Sequence, residues 1–136
     1  MSRISPRHET SPGFSAKGRR EYPAVTSWSD CDRLMELIVR ERPEAILCYD
    51  DEIALHLLAA LRSRGLAVPA DIAITGFDDI PFAAVANPTL TTVSQPMEMM
   101  GADAAAALFE TLETGHPPPS ARVSLTLQVR ESTASQ

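Results

Sequence analysis

Two short apolar runs stand out in the middle of the sequence, residues 45–49 and residues 72–76. Each has the length of a buried strand and is bounded by polar or turn-forming residues. Two adjacent aspartates follow each run, Asp50 and Asp51 after the first, Asp78 and Asp79 after the second. The pattern therefore predicts two strands whose ends both carry pairs of carboxylates.

The stretch between the two runs has the pattern of a helix. Asp51 stands directly before this stretch and is interpreted as the N-cap, and Gly65 marks the C-terminal stop. Strand, helix and strand joined by short connections predict a right-handed parallel crossover. All four aspartates then share the carboxyl edge of one sheet, which is where open α/β sheets bind ligands. The apolar residues at helical spacing are Ile53, Ala54, Leu57, Leu58 and Leu61.

The rest of the chain fits the α/β class, a parallel sheet flanked by helices. Residues 1–23 have little hydrophobic content and are predicted to be a disordered or loosely docked tail, so that residues 24–136 form one domain. Further elements are predicted as a strand at 24–26, a helix with Leu34, Leu37 and Ile38 on one face, a strand at 90–93, a helix at 97–114 and a strand at 123–129 with one exposed face.

Length and charge narrow the class of protein. The 136 residues suit one domain, and the net charge of -6 argues against direct binding of nucleic acid by this chain, since phosphate contacts need clustered Lys and Arg. Cys31 and Cys48 are too few for a disulfide framework or a zinc site. No apolar run approaches the length of a membrane span, and the N-terminus lacks a signal-peptide pattern, so we expect a cytoplasmic protein without membrane contact.

Four carboxylates at one sheet edge suit three kinds of chemistry: a metal site, acid/base catalysis, or acceptance of hydrogen bonds from the hydroxyl groups of a small molecule. A magnesium or phosphoryl-transfer site would pair the acids with a lysine or a phosphate loop, and no lysine follows Lys17. The histidines adjoin no plausible serine or cysteine nucleophile. We therefore expect ligand binding, with no enzyme activity, no catalytic residue, no metal and no cofactor.

Four residues are candidates for contact with that ligand. Asp50 and Asp78 are each the first polar side chain after a predicted buried strand, and neither is placed to cap an obvious helix. Trp28 is expected at the end of a short strand, where it either packs on the core or stacks on a sugar or flat ring. Gln95 offers both a donor and an acceptor, although a surface amide is the default interpretation at that position.

Several short motifs follow one another along residues 28–133. Each motif is weak alone, but the ordered set is highly specific. They are Ala45-Ile46-Leu47-Cys48 before Asp50-Asp51, Gly65-Leu66 with Val68-Pro69 and Asp71-Ile72, Gly76-Phe77-Asp78-Asp79, Leu90-Thr91-Thr92-Val93 with Gln95-Pro96, Gly101 with residues 104–108, and Val129-Arg130-Glu131-Ser132-Thr133. In this order they resemble the effector-binding domain of the LacI/GalR family of bacterial transcription regulators.

The resemblance implies a fold of two periplasmic-binding-protein-like lobes, each a parallel sheet flanked by helices, with a small effector held in the cleft between them. This chain matches the second lobe, incompletely. The resemblance further implies that Trp28 packs on the ligand, that Asp50 and Asp78 bond to it, and that Gln95 lines the cleft at a hinge crossing. The implied effector is a sugar, a polyol or a nucleobase-like molecule, which in the complete repressor controls DNA binding.

This sequence departs from the family pattern in two respects. Asp50 stands where an asparagine is usual, which removes two N–H donors and adds a charge, so a ligand with several hydroxyl groups or an amine suits the change. The DNA-reading helix-turn-helix headpiece, the hinge helix and nearly all of the first lobe have no counterpart in the N-terminal part of the chain.

The missing first lobe leads to an expectation about the helix at 97–114. In the family this helix packs on the first lobe, so its face of Met100, Ala104 and Leu108 is expected to lie partly bare. A bare apolar face must find a partner or cause aggregation. We therefore expect a homo-oligomer, formed through this helix or through the C-terminal lobe.

The leading hypothesis is thus the effector-binding part of a truncated or divided LacI-type regulator. A solute-binding protein of a sugar transporter shares the fold but requires export. A receiver-like domain or magnesium-dependent enzyme requires a tight Mg²⁺ site at Asp50 and Asp78. A module that only pairs with full-length relatives stays open as a further alternative.

Overall fold

The computed structural model describes residues 28–134. Every helix and strand predicted between these residues is present; the strands are shorter than predicted, and the strand predicted at 90–93 lies at 92–94. The predicted tail at 1–23 and the predicted strand at 24–26 lie outside the described residues. The helices are α1 (Trp28–Glu41), α2 (Asp51–Ser63) and α3 (Met97–Thr114), with a short 3₁₀ helix at Pro81–Ala84. The strands are β1 (Ala45–Leu47), β2 (Ala73–Thr75), β3 (Thr92–Ser94) and β4 (Thr126–Gln128).

The strands form two pairs, β1 with β2 and β3 with β4, and isolated bridges connect the two pairs into one layer. β1 and β2 are parallel, with Leu47 opposite Thr75. A parallel bridge between Thr75 and Thr91 joins β2 to β3, and the Gly76 N–H donates to the Thr91 carbonyl at 2.9 Å. β3 and β4 are antiparallel. The predicted parallel arrangement of β1 and β2 around α2 is therefore confirmed.

The core forms where the two helices of the first half meet the sheet. α1 packs against α2, and α2 packs against β2. The apolar positions of both helices recur three and four residues apart, so each helix presents one apolar face to this contact. The buried apolar residues are Leu34, Met35, Ile38, Ala54, Leu57, Leu58, Leu61, Ile72, Ile74, Ala83 and Leu90.

The segment after β4 completes the sheet. Ser132 is fully buried, and its hydroxyl donates to the Ile74 carbonyl at 2.6 Å and accepts from the Thr91 N–H at 2.8 Å. The Ser132 carbonyl in turn accepts from the Ile74 N–H at 3.0 Å. Ser132 therefore joins β2 to the start of β3, which explains why a serine is compatible with this buried position.

α3 and β4, which we call the arm, pack much less closely than the core. No residue of α3 is buried, and Phe109 and Leu112 are 65% and 72% exposed. Leu127 of β4 is 61% exposed, so the exposed face of this strand includes its apolar side chains. On the face that was expected to lie partly bare, Leu108 is 59% exposed, Ala104 is exposed and Met100 is half-buried, so that expectation is confirmed. Within residues 28–134, no helix combines the length and the apolar character needed to cross a bilayer.

Candidate functional site

The carboxyl edge of the sheet is the candidate site, because β1 and β2 run parallel and both lead into aspartates. Leu47 lies opposite Thr75, and Asp50 and Asp78 follow these two residues at the same distance along the chain. Both aspartates are half-buried. The fold therefore brings the two predicted carboxylates to one edge, as the pattern of the sequence led us to expect.

Asp50, and not Asp51, is the N-cap of α2. Its backbone is extended, and its Oδ1 accepts a hydrogen bond from the Ile53 N–H at 2.8 Å. The interpretation of Asp51 as the cap is wrong, and so is the expectation that Asp50 caps no helix. Two adjacent aspartates before one apolar pattern fit a cap equally well, so spacing did not distinguish them. The second oxygen of Asp50, Oδ2, has no hydrogen-bond partner among residues 28–134.

Asp78 and Gln95 form a polar pair at the same edge. The Gln95 Nε2 donates to the Asp78 Oδ1 at 2.5 Å. The Asp78 N–H donates to the Val93 carbonyl at 2.9 Å, which extends the pairing of β2 and β3 beyond the strands themselves. Asp78 has φ 106°, a conformation that few residues other than glycine adopt. The structure thus places in direct contact two of the residues that were predicted to bind the small molecule.

Asp51 is fully buried beside this pair. Its Oδ1 accepts from the Thr92 hydroxyl at 2.6 Å, and its Oδ2 accepts from the Ile80 N–H at 2.9 Å. A Cβ added to Gly76 would lie 2.1 Å from the Asp51 Oδ1, so only glycine fits there. Asp51 therefore links the start of α2 to the segment after β2 and to β3. The sequence pattern did not reveal this role of Asp51 or the role of Thr92.

Asp79 forms an ion pair within the fold. Its Oδ1 accepts from the Arg130 Nη2 at 2.7 Å, with both side chains 20% exposed. The Arg130 Nη1 also donates to the Leu90 carbonyl at 2.9 Å. This ion pair joins the segment after β2 to the segment after β4. Arg130 was not singled out as a site residue, although its place in the closing motif is the signal that could have found it.

The negative charges at this edge also act on Cys48, directly after β1. Burial raises the pKa of the Cys48 thiol to about 12, and the charges of Asp50 and Asp51 contribute to the rise. The thiol therefore stays protonated and unreactive at neutral pH. Cys48 therefore behaves as a small apolar residue at this position.

Trp28 is the first residue of α1, and the strand predicted before it lies outside the described residues. Its side chain lies outside the described residues, so its predicted contact with the ligand stays a prediction. The structure brings Asp78 and Gln95 together and places Asp50 at the same edge.

A shallow cavity of about 350 Å³ lies away from this edge, between the second half of α2 and residues 86–87. None of the predicted site residues lines it. In the part of the chain that the structure describes, no three His, Cys, Asp or Glu side chains are grouped so that they could hold a metal ion.

Comparison with known proteins decides the family. The family model described as a periplasmic binding protein-like domain matches residues 7–133. The lac repressor, solved as a dimer bound to operator and the anti-inducer ONPF, is similar over 80% of this chain and 34% of its own, with TM-score 0.68 and 27% identity. The chain belongs to the periplasmic binding protein-like family, in its LacI-type branch. The family resemblance predicted from the motifs is confirmed.

Other LacI-type relatives are similar to this chain over part of their length. The arabinose metabolism transcriptional repressor of Geobacillus stearothermophilus is 48% identical over 73 residues, which are 54% of this chain and 20% of the repressor. The CelR transcriptional regulator, solved in complex with cellobiose, is 34% identical with TM-score 0.68, over 75% of this chain and 32% of its own. The chain therefore spans between about a fifth and a third of these relatives. They are named as transcription regulators, which favours the regulator over the transport alternative.

Proposed function

We propose that this chain is the effector-binding lobe of a LacI-type transcription regulator and binds a small polyhydroxyl molecule at the carboxyl edge of its sheet. The hydrogen bond between Asp78 and Gln95 carries the proposal, because it fixes two polar side chains where β2 and β3 leave the sheet. In the complete regulator, ligand binding shifts the population between two states that differ in operator affinity. The lobe performs no bond-making step, so we propose that it is not an enzyme.

The orientation of Gln95 supports a ligand that donates hydrogen bonds. Since its Nε2 is directed to the Asp78 carboxylate, its Oε1 is left as the acceptor at the edge. The Oδ2 atoms of Asp78 and Asp50 are acceptors as well. The edge therefore offers oxygens that match hydroxyl or ammonium groups. The CelR relative was solved with cellobiose, a polyhydroxyl ligand of this kind.

Three further parts of the proposal rest on the family. We propose that Trp28 stacks on the ligand, that residues 24–136 form the lobe with residues 1–23 as a tail, and that the regulator acts in the cytoplasm, where its DNA target lies. The net charge of -6 supports a lobe that does not itself contact DNA.

The proposal is tested by NMR titration of the chain with arabinose, glucose, cellobiose, glycerol and adenine. Asp78 and Gln95 are both partly exposed to solvent, whereas a closed pocket buries most of the surface of its ligand. We therefore expect weak binding, with a Kd on the order of 1 mM or above. Chemical-shift changes should concentrate at Asp50, Asp78 and Gln95. Micromolar affinity would contradict the view that this lobe forms one side of a cleft.

A matched pair of variants locates the binding. Asp78→Ala should abolish the titration, because it removes the carboxylate that orients Gln95. Asp71→Ala is the control, because its carboxylate accepts from the Ala67 N–H at 2.7 Å just before β2, at the opposite end of that strand. Retained binding in Asp78→Ala, or equal loss in both variants, would contradict the proposed site.

We also propose that the chain forms a homo-oligomer. Support comes from the arm, where Phe109 and Leu112 of α3 and Leu127 of β4 are exposed. The lac repressor relative was solved as a dimer. Sedimentation velocity of the wild type and of Leu112→Ser with Phe109→Ser should show a shift towards monomer in the double variant. A wild-type chain that stays monomeric at every concentration would contradict self-association.

A further inference from the structure

The buried carboxylate of Asp51 is connected to every segment that carries the candidate site. The residue itself follows Asp50 and begins α2, and its N–H donates to the Phe77 carbonyl at 2.9 Å. Its Oδ2 accepts from the Ile80 N–H, and its Oδ1 accepts from the Thr92 hydroxyl. A fully buried carboxylate with both oxygens bonded is fixed in one orientation.

The segment held by these bonds has an unfavourable backbone. Asp78 has φ 106° and Asp79 has φ 54°, both in the region that favours glycine. Such a conformation persists where the surrounding contacts fix it. The bonds from Asp51 to Phe77 and to Ile80 lie on either side of these two residues.

Thr92 extends the same network to β3. Its Oγ1 donates to Asp51 and accepts from the Asp79 N–H at 3.3 Å. Since Thr92 belongs to β3, which leads directly to Gln95, the network fixes Asp78 and Gln95 relative to each other. Gly76 allows the close approach, because an added Cβ would meet the Asp51 carboxylate.

We infer that Asp51 is a positioning residue for the effector site: its carboxylate, together with Thr92, holds residues 77–80 against β3 so that the Asp78 carboxylate meets the Gln95 amide. The role rests on the proposed function of that edge, but it can be measured without any ligand. Among residues 28–134, the Asp51 carboxylate accepts hydrogen bonds from the Ile80 N–H and the Thr92 hydroxyl and has no direct bond to Asp78 or Gln95.

The test measures the chemical shift of the Gln95 side-chain amide by ¹H–¹⁵N NMR in the ligand-free chain. Asp78→Ala supplies the reference position of an amide that has lost its carboxylate partner. Asp51→Ala should move the Gln95 resonance most of the way to that reference. Asp51→Asn should keep it near the wild-type position, because the asparagine oxygen can accept from Ile80 while its amide donates to the Thr92 hydroxyl. This rescue by the conservative variant distinguishes positioning from loss of charge.

A control variant separates positioning from general loss of stability. Leu58→Ala removes buried core volume in α2, far along the helix from Asp51, and should leave the Gln95 resonance unchanged. A folded Asp51→Ala chain with an unchanged Gln95 resonance would overturn the inference, as would a folded Asp51→Asn chain at the reference position. If Asp51→Ala does not fold, the same measurement is made on Thr92→Val. A partial shift of the Gln95 resonance is expected, and an unchanged resonance would contradict the positioning role.

The same variants keep this inference separate from the proposed function. If the sugar titration fails while Asp51→Ala still moves the Gln95 resonance, the proposed ligand is wrong and the positioning role stands. If sugars bind at Asp78 and Gln95 while Asp51→Ala leaves both the resonance and the affinity unchanged, the proposed function stands and the positioning role is wrong.

Discussion

The core and the arm have similar apolar content but very different burial. In the core, the spaced apolar residues of α1 and α2 face each other and β2, and Ile38 and Leu61 are fully buried. In the arm, α3 has an apolar face of comparable length, but none of its residues is fully buried. A hydrophobic pattern therefore predicts which face of a helix is apolar. Whether that face is buried depends on whether another element packs against it.

The two regions are also held by different interactions. The candidate site lies on the core, where Asp50, Asp51 and Asp78 all have hydrogen-bond partners from the scaffold. α3 has no side-chain cap at its N-terminus and depends on the helix propensity of its alanines and leucines. The site is consequently built on the closely packed region, and the apolar side chains of the arm are left available for a partner.

The largest expected effect on the free energy of unfolding comes from shortening a leucine side chain in the core, compared with the same substitution in the arm. Leu61→Ala should lower the free energy of unfolding by about 2–5 kcal/mol, because Leu61 is fully buried. In the dilute, monomeric chain, Leu112→Ala should change it by less than about 0.5 kcal/mol, because Leu112 is 72% exposed. Urea unfolding followed by circular dichroism measures both. A comparable loss for Leu112→Ala that grows with protein concentration would show that a second copy covers the arm.

Glycine-to-alanine substitutions sharpen the contrast. Gly76→Ala should lower the free energy of unfolding by about 1–3 kcal/mol, since the new Cβ would overlap the buried, doubly bonded Asp51 carboxylate. Gly101→Ala, within α3, meets no atom within 4 Å and should raise it by up to about 1 kcal/mol through helix propensity. Thermal unfolding measures the two shifts. A Gly76→Ala chain as stable as the wild type would argue against the close approach of Asp51.

The cap of α2 gives a smaller effect. Asp50→Ala should cost about 1 kcal/mol, because the Ile53 N–H loses its acceptor. Asp50→Ser should stay close to the wild type, since a serine hydroxyl also caps. The pair is measured by urea unfolding, and Asp50→Ser separates the structural role of the cap from the proposed contact of Asp50 with a ligand. Equal losses in both variants would contradict the cap.

The smallest effect concerns Cys48. Its thiol pKa is raised from 9.0 to about 12, so the folded state holds the proton more tightly than the unfolded state. Stability from this group is complete below pH 9 and declines as the pH rises towards 12. In a Cys31→Ser background, iodoacetamide should react slowly at pH 8, and more slowly than with the urea-unfolded chain. Equal rates in the folded and unfolded chains would contradict the raised pKa.

Much of this protein could be predicted from the pattern of its sequence. The bounds of α3 match the predicted 97–114, because Pro96 and Gly115 punctuate both ends of a long helix-forming run. The parallel pairing of β1 and β2 followed from strand, helix and strand in close succession. Asp50, Asp78 and Gln95 were identified as candidates because they follow predicted strands, a position that spacing reveals.

The tertiary structure alone determined the separate structural roles of the four aspartates. Asp51 was taken for a cap, yet its partners Ile80 and Thr92 lie 29 and 41 residues away along the chain. Asp79 likewise pairs with Arg130, 51 residues further on. The sequence by itself determined that four carboxylates gather at one sheet edge. The role of each aspartate depends on long-range contacts, because a carboxylate accepts whatever donor the folded chain brings to it. These contacts set which aspartate caps the helix, which bonds to the segment after β2, which pairs with an arginine and which is left to accept from the proposed ligand.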